Sequence, residues 1–277
     1  PIMDNVIYFD GTVASDPANE KFLHNEFGVN YRFGKLGINA SAYNTDWQDR
    51  NLTKSVTTGQ GDSGDTDVIF LTGVNQKHSG VELETNYMVN DMLDLMFVAS
   101  FGNWKFDGDA NGNYQETEYN SEGQAIGYTT TEYAYALDGL YVGDMPQTSY
   151  VLGVTLKPIK DLRIQAIHKM YDKNYSDWSP SAREFDGTND DADRAQVWEA
   201  PSYNRLDLHM SYKLPKVKDL DMMLTANIFN VLDEVYVQDA VDNSQYNGYG
   251  SKNHLPHNAE VFLGTPRYAN IGLSIGF

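Results

Sequence analysis

Along most of the chain, apolar and polar residues alternate with a period of two. Phe27, Val29, Tyr31 and Phe33 stand against Gly28, Asn30 and Arg32; after Gly34-Lys35, Leu36, Ile38, Ala40 and Ala42 stand against Gly37, Asn39, Ser41 and Tyr43, running on through Trp47 toward Val56. Two alternating runs joined by a two-residue turn predict a β-hairpin. The unit recurs: Val81, Leu83 and Thr85, a turn at Asn90-Asp91, then Leu93, Leu95, Phe97, Ala99 and Phe101 up to Trp104. It recurs again as Tyr150, Leu152, Val154 and Leu156, a turn over 158–161, then Leu162, Ile164 and Ala166. A further pair has Leu206, Leu208 and Met210 before a turn at 215–218 and Met222, Leu224, Ala226 and Ile228 after it. The last run places Ile271, Leu273, Ile275 and Phe277 opposite Asn270, Gly272, Ser274 and Gly276. Nine strands are predicted, each of roughly 10 residues, the length a bilayer-spanning strand needs. No segment keeps a helical period over a useful length.

The connections separate these strands into two ends. Short turns fall at 34–35, 90–91, 158–161 and 214–219, while long polar stretches fall at 57–67, 106–146, 176–199 and 233–263. In an up-and-down meander every short turn lies at one end and every long loop at the other. Charged residues such as Glu82 and Glu84 between aliphatics keep one face wet along its whole length. The pattern predicts an all-β chain forming part of a transmembrane antiparallel up-and-down β-barrel, with periplasmic turns and extracellular loops. The competing reading is a soluble β-sandwich, exposed on a surface as a binding or adhesion module, whose oily face packs on a second sheet.

Composition sharpens this choice only in part. The 277 residues carry 39 acidic and 20 basic side chains, a net charge of -19, which argues against nucleic acid and other polyanions as partners. There is no cysteine, so no disulfide framework or thiolate metal site is available. A mean hydropathy of -0.51 and the lack of a long apolar run exclude a transmembrane helix but leave a barrel open, because barrel strands alternate. The aromatic load of 19 Tyr, 12 Phe and 4 Trp suits interfacial girdles.

Catalytic chemistry finds little support. No nucleophile–base order, phosphate loop or redox pair is present. His254-Leu-Pro-His257 is the one close histidine pair, and Pro256 denies it a helical ligand face. Asp207 and His209 share a strand face, and the plainer reading makes them lumen-facing polar residues. Within 106–146 there are eight acidic residues and no Lys or Arg, interleaved with tyrosines. Asp107, Asp109, Asn111, Asn113 and Glu118 match the oxygen-ligand spacing of a calcium loop, with Gly112 at the turn and Gln115 acting through water. Calcium is therefore the one candidate cofactor, set against a plain solvated turn. Tyr128, Tyr133, Tyr135, Trp178, Trp198 and Tyr246 are the candidate ligand-facing aromatics of the outer loops, suited to a neutral or cationic ligand or to stacking on sugar.

Several phrases resemble one family. Glu20-Lys21-Phe22-Leu23 leading to Glu26-Phe27-Gly28-Val29-Asn30-Tyr31, then Tyr43-Asn44-Thr45-Asp46-Trp47-Gln48-Asp49-Arg50, His78-Ser79-Gly80-Val81-Glu82-Leu83-Glu84 and Asn227-Ile228-Phe229-Asn230-Val231-Leu232-Asp233 are similar to the carboxy-terminal barrel of TonB-dependent outer-membrane receptors, in a style nearest those of Bacteroidetes-type bacteria. The final Tyr268 to Phe277 strand resembles the family's last strand, and Leu273, Ile275 and Phe277 resemble the assembly signal read by the outer-membrane insertion machinery. The resemblance implies residence in the outer membrane of a Gram-negative bacterium and import of an extracellular nutrient, the ligand being a small molecule, glycan or peptide. Implied partners are the lipid bilayer, the TonB complex acting through a plug domain, and a surface lipoprotein lid; nucleic acid is not among them, and no enzymatic activity is implied. It also implies a barrel of 22 strands, so a plug and further strands are expected outside these residues. Pro1 to Lys21 would then be the remainder of an outer loop.

Overall fold

The computed structural model describes residues 7, 19–58, 65–185, 191–216, 218–244, 247 and 252–277. The strands are β1 (Lys21–Phe33), β2 (Leu36–Thr58), β3 (Asp65–Asn90), β4 (Leu93–Phe106), β5 (Ala110–Tyr119), β6 (Ala125–Tyr135), β7 (Thr148–Leu156), β8 (Leu162–Asp172), β9 (Asn174–Tyr175), β10 (Glu184–Phe185), β11 (Glu199–Ala200), β12 (Tyr203–Lys213), β13 (Asp221–Phe229), β14 (Val237–Val241), β15 (Glu260–Leu263) and β16 (Tyr268–Gly276). One helical turn, α1 (Pro180–Arg183), precedes β10. The expected remainder of an outer loop before Lys21 lies almost wholly outside the described residues.

β1, β2, β3, β4, β7, β8, β12, β13 and β16 pair in that order, every neighbour antiparallel, and form a continuous wall. These are the nine strands that the alternation predicts. The wall is curled as a half-barrel. Its register lines up Phe33, Leu36, Tyr87, Leu95, Val154, Ala166, Leu208, Ile228 and Ala269 in one row across all nine strands. Because side chains alternate faces, that row fixes one whole face as apolar. The face is bare: Phe27 is 75% exposed, Phe33 71% and Ile271 78%. Among the described residues no second sheet packs on it, so the sandwich reading loses the partner it needs. A face this large and this oily is matched by hydrocarbon, not water.

β1 and β16 each pair on one side only, leaving two strand edges free among the described residues. The short connections are tight: Gly34 takes φ 55° in the two-residue β1–β2 turn, where a side chain would strain the backbone.

At the other end the strands outgrow the wall. β2 has 23 residues and β3 has 26, well beyond the roughly 10 residues that cross a bilayer. On this extension the stretch expected as one long loop over 106–146 folds instead as a hairpin. β5 pairs β3 over Val68–Thr72, β6 pairs β5, and β10 caps the end of β6. The stretch 176–199 contributes α1, β10 and β11, and 233–263 contributes the β14–β15 pair. A second core holds these pieces together: Leu71, Val74, Phe106, Tyr135, Leu137, Leu140, Tyr175, Trp178 and Val197 are all buried.

Candidate functional site: the inner wall and its outer rim

The face opposite the apolar one is lined by polar side chains. Asp94, Thr155, Gln165, His209, Asn227 and Asn270 form one polar cross-strand row, with the apolar Met88 at its β3 end. Within it Gln165 Nε2 donates to Thr155 Oγ1 at 3.2 Å, His209 Nδ1 lies 2.8 Å from Asn227 Oδ1, and Asn227 Nδ2 donates to Asn270 Oδ1 at 2.7 Å. Near the short-turn end this face encloses a concavity of about 700 Å³ between Asn30, Arg32, Glu84, Asp94 and Arg163. Higher up, Asp207 is buried and accepts from Lys169 Nζ and from the Asn230 backbone N–H, each at 2.9 Å. Asp207 and His209 thus have separate partners and build no acid–base pair.

Toward the outer rim the same face turns aromatic. Tyr43, Gly80 and Gly102 lie directly across from one another on β2, β3 and β4. A Cβ on Gly80 would meet the Tyr43 hydroxyl at 2.5 Å, and one on Gly102 would meet Trp104 Nε1 and Cε2 at 2.8 Å. Both rings therefore lie flat on the wall where only glycine leaves room. Trp104 Nε1 donates to Tyr43 Oη at 2.9 Å and joins them. His24 lies beside Tyr43 at 6.2 Å with an interplanar angle of 26°, and His78 beside Trp104 at 5.6 Å and 22°. Next to them Arg50 covers the Trp47 ring at 4.1 Å and donates from its guanidinium to Gln76 Oε1 at 3.0 Å.

The loop layer above is held by buried charge. Arg183 and Asp242 are fully enclosed, with Nη2 3.4 Å from Asp242 Oδ2, while Arg183 Nη1 donates to the Asp193 carbonyl at 2.9 Å. His254 sits between two loops, its ring nitrogens 2.5 Å from Asp242 and 2.8 Å from Asp193. Burial pushes the Asp193 carboxyl up, but the bond to His254, the Ala195 N–H and the Arg183 charge outweigh it and hold the group below the usual carboxylate range. A second node joins Lys54 to Asp177 and sets Lys54 Nζ 4.7 Å over the Trp178 ring. Beside it Asp144 is pushed up to about 6, first by burial, then by the charges of Asp177 and Asp239 and a hydrogen bond shared with Asp239, with Lys54 opposing.

The calcium-loop expectation fails on geometry. Asn111, Asn113 and Glu118 lie along β5, an extended strand paired with β6 throughout and with β3 over Asn111–Gln115, so Asn111 and Glu118 stand roughly 23 Å apart at about 3.3 Å per residue. Ligands so spread cannot converge on one ion. Asp107 is engaged by Lys77 Nζ at 2.8 Å, and Glu118 accepts from the Thr129 hydroxyl. Asp109 holds Arg194 through both oxygens at 2.8 and 2.7 Å and accepts the N–H groups of Leu137 and Asp138. The Arg194 bond first, aided by those N–H groups, keeps its carboxyl below the ordinary range.

Two of the aromatics expected to face ligand are structural instead. Tyr135 and Trp178, each 1% exposed, pack 5.8 Å apart in the loop-layer core, because so large an outer layer needs a core of its own. Trp198 is half-buried and its backbone N–H donates to Asp242 Oδ1 at 3.3 Å. Tyr128 and Tyr133 fall on β6 with side chains outside the described set, and Tyr246 lies outside the described residues. Leu273, Ile275 and Phe277 stand exposed on the outward face. The flat rings of Tyr43 and Trp104 escape a motif search; their signal was an aromatic on the wet parity of its strand with glycine beside it.

An apolar outer face, a polar inner face and a capped long-loop end define this chain as barrel wall of the outer-membrane type. It belongs to the TonB dependent receptor-like, beta-barrel family, whose model matches residues 7–231. Barrels of that family stand in the Gram-negative outer membrane. Among solved structures, the copper transporter OprC is 16% identical with a TM-score of 0.56, covering 97% of this chain and 33% of that one. The siderophore receptor PiuA from Acinetobacter baumannii is 15% identical with a TM-score of 0.43, covering 90% of this chain and 35% of that one. The ferric citrate transporter FecA in its unliganded form is 11% identical with a TM-score of 0.31, covering 93% and 54%. The chain thus spans about a third of the first two structures it matches. No curated protein sequence matches it.

Proposed function

We propose that this chain supplies wall and outer loops to a receptor that captures an extracellular nutrient and passes it through the outer membrane. The observation that carries the reading is the two-faced register: one row of apolar side chains across nine strands outside, and inside a polar row from Asp94 to Asn270 over six strands, tied by Thr155–Gln165 and His209–Asn227–Asn270 hydrogen bonds. Such a wall encloses a wet path within lipid. The two free strand edges would be closed by further strands of the same receptor, and energy would come from the TonB complex acting on a plug inside the lumen. Leu273, Ile275 and Phe277 offer an exposed apolar strand to the insertion machinery. The Bacteroidetes-like phrasing of the sequence supports a host in which a surface lipoprotein lid closes over the outer loops.

In the source bacterium, loss of this receptor and loss of TonB are expected to abolish growth on the same scarce nutrient, with the receptor found in the outer-membrane fraction. Growth on every nutrient tested that is unaffected by either loss overturns the import reading.

A further inference from the structure

The flat rings on the inner wall have a use that the wall itself does not require. Elsewhere on that face short polar side chains satisfy one another; here two strands give up their side chains, at Gly80 and Gly102, so that Tyr43 and Trp104 can lie flat. Their polar edges are tied to each other through Trp104 Nε1 and Tyr43 Oη, so both rings are fixed before any ligand arrives. His24 and His78 extend the surface at small interplanar angles on either side. The rings are only half-buried, by the wall beneath them. Around this pavement the half-buried Arg50, held by the buried Gln76, and the exposed Glu82 present a donor and an acceptor on the inner face.

A rigid aromatic floor with a polar rim suits a ring that is apolar on its face and hydroxylated at its edge. C–H groups of a pyranose lie on the π face while its hydroxyls reach the rim. The alternative flat ligands, aryl chelates carrying carboxylate or catecholate, are anionic and would meet Glu26, directly across from Tyr43, and Glu82 on the next strand. We infer that His24, Tyr43, His78 and Trp104 form a stacking subsite for a neutral sugar ring on the luminal wall, at the outer mouth of the barrel.

This rests on the import reading, since the subsite must line the path of the ligand. The test uses the full receptor purified in detergent, with maltohexaose, cellohexaose and mannohexaose as probes, followed by calorimetry and tryptophan emission. At least one of the three is expected to bind and to shift the emission. Trp104→Leu, which removes a ring, and Gly102→Val, which lifts it off the wall, should each weaken that binding by up to about tenfold while heat-modifiable migration of the barrel stays normal. No binding of any of the three, or equal binding by wild type and both variants, overturns the subsite. If sugar does not bind but TonB-dependent uptake of another ligand is intact, the subsite falls and the import reading stands. If sugar binds at the pavement with no TonB-dependent uptake, the subsite stands and the import reading falls.

Discussion

Phe27 and Phe106 are both strand phenylalanines, yet the first is 75% exposed and the second 5%. The first belongs to the wall, the second to the layer built on its long-loop end, and the two regions solve opposite problems. In the wall the backbone is satisfied by neighbouring strands and the apolar side chains point away from the protein, because hydrocarbon receives them. In the loop layer water surrounds the chain, so Leu71, Phe106, Leu140 and Trp178 turn inward and pack. The difference teaches that exposure alone does not separate core from surface here; the solvent at each height does.

The sharpest way to break the loop layer while sparing the wall is to remove its buried cation. Arg183→Ala would leave the enclosed Asp242 with only His254 and the Trp198 N–H as partners, a loss of up to about 3–5 kcal/mol for a broken buried pair. Hydrogen exchange is expected to accelerate over 173–202 and 230–244, with exchange in β7, β8 and β12 unchanged. Equal protection in both regions of the variant would show that wall and loop layer are one cooperative unit.

The wall is broken from its outer face. Leu83 lies midway along the outward side of β3, opposite Ala40 and Ala99. Leu83→Arg is expected to cost about 2–4 kcal/mol near the bilayer midplane, whereas Gln165→Arg on the luminal face should cost far less. Reversible unfolding of the intact receptor in lipid measures both. Equal costs would mean that the two faces see the same solvent, against the assignment of outside and inside.

How much of this was legible follows the same division. The nine wall strands stand in the sequence because lipid on one side and water on the other impose period two, as in Leu93, Leu95, Phe97 and Ala99. The loop layer obeys contacts that skip along the chain. Asp109 is fixed by Arg194, 85 residues away, and Arg183 meets His254 across 71, so local spacing around Asp109 suggested a calcium turn where distant pairing makes a strand. β5 is rich in Asn, Gly, Glu and Gln and is extended because β3 continues beyond the wall to pair with it. Tyr135 and Trp178 looked like ligand contacts because nothing local announces that a loop will have its own core. The aromatic floor under the subsite was half-legible: Tyr43 and Trp104 were on the wet parity, but their joining needs three strands side by side.

The smallest effect sharpens the comparison by pH. Asp144 sits in the loop layer with φ 71°, beside Asp177 and Asp239, and its carboxyl is raised from the ordinary value to about 6. Burial is the first cause and the neighbouring carboxylates the next, while Lys54 works the other way. A carboxyl whose folded value lies above its unfolded one favours the folded state when protonated. Its contribution is therefore full below the unfolded value near 3.8 and is lost as pH rises through about 6. Asp144→Asn keeps the hydrogen-bonding shape, tolerates the positive φ and removes the titration. The variant should gain local stability at pH 8 relative to wild type and lose the decline between pH 4 and 7. Because the side chain is partly open to solvent, screening should reduce the gain to a fraction of a kcal/mol. Hydrogen exchange of the 136–147 segment at pH 5 and pH 8, corrected for intrinsic rates, reads it. A wild-type segment equally protected at both values would mean that Asp144 ionises in the folded state as freely as in water, and that its neighbours impose no strain.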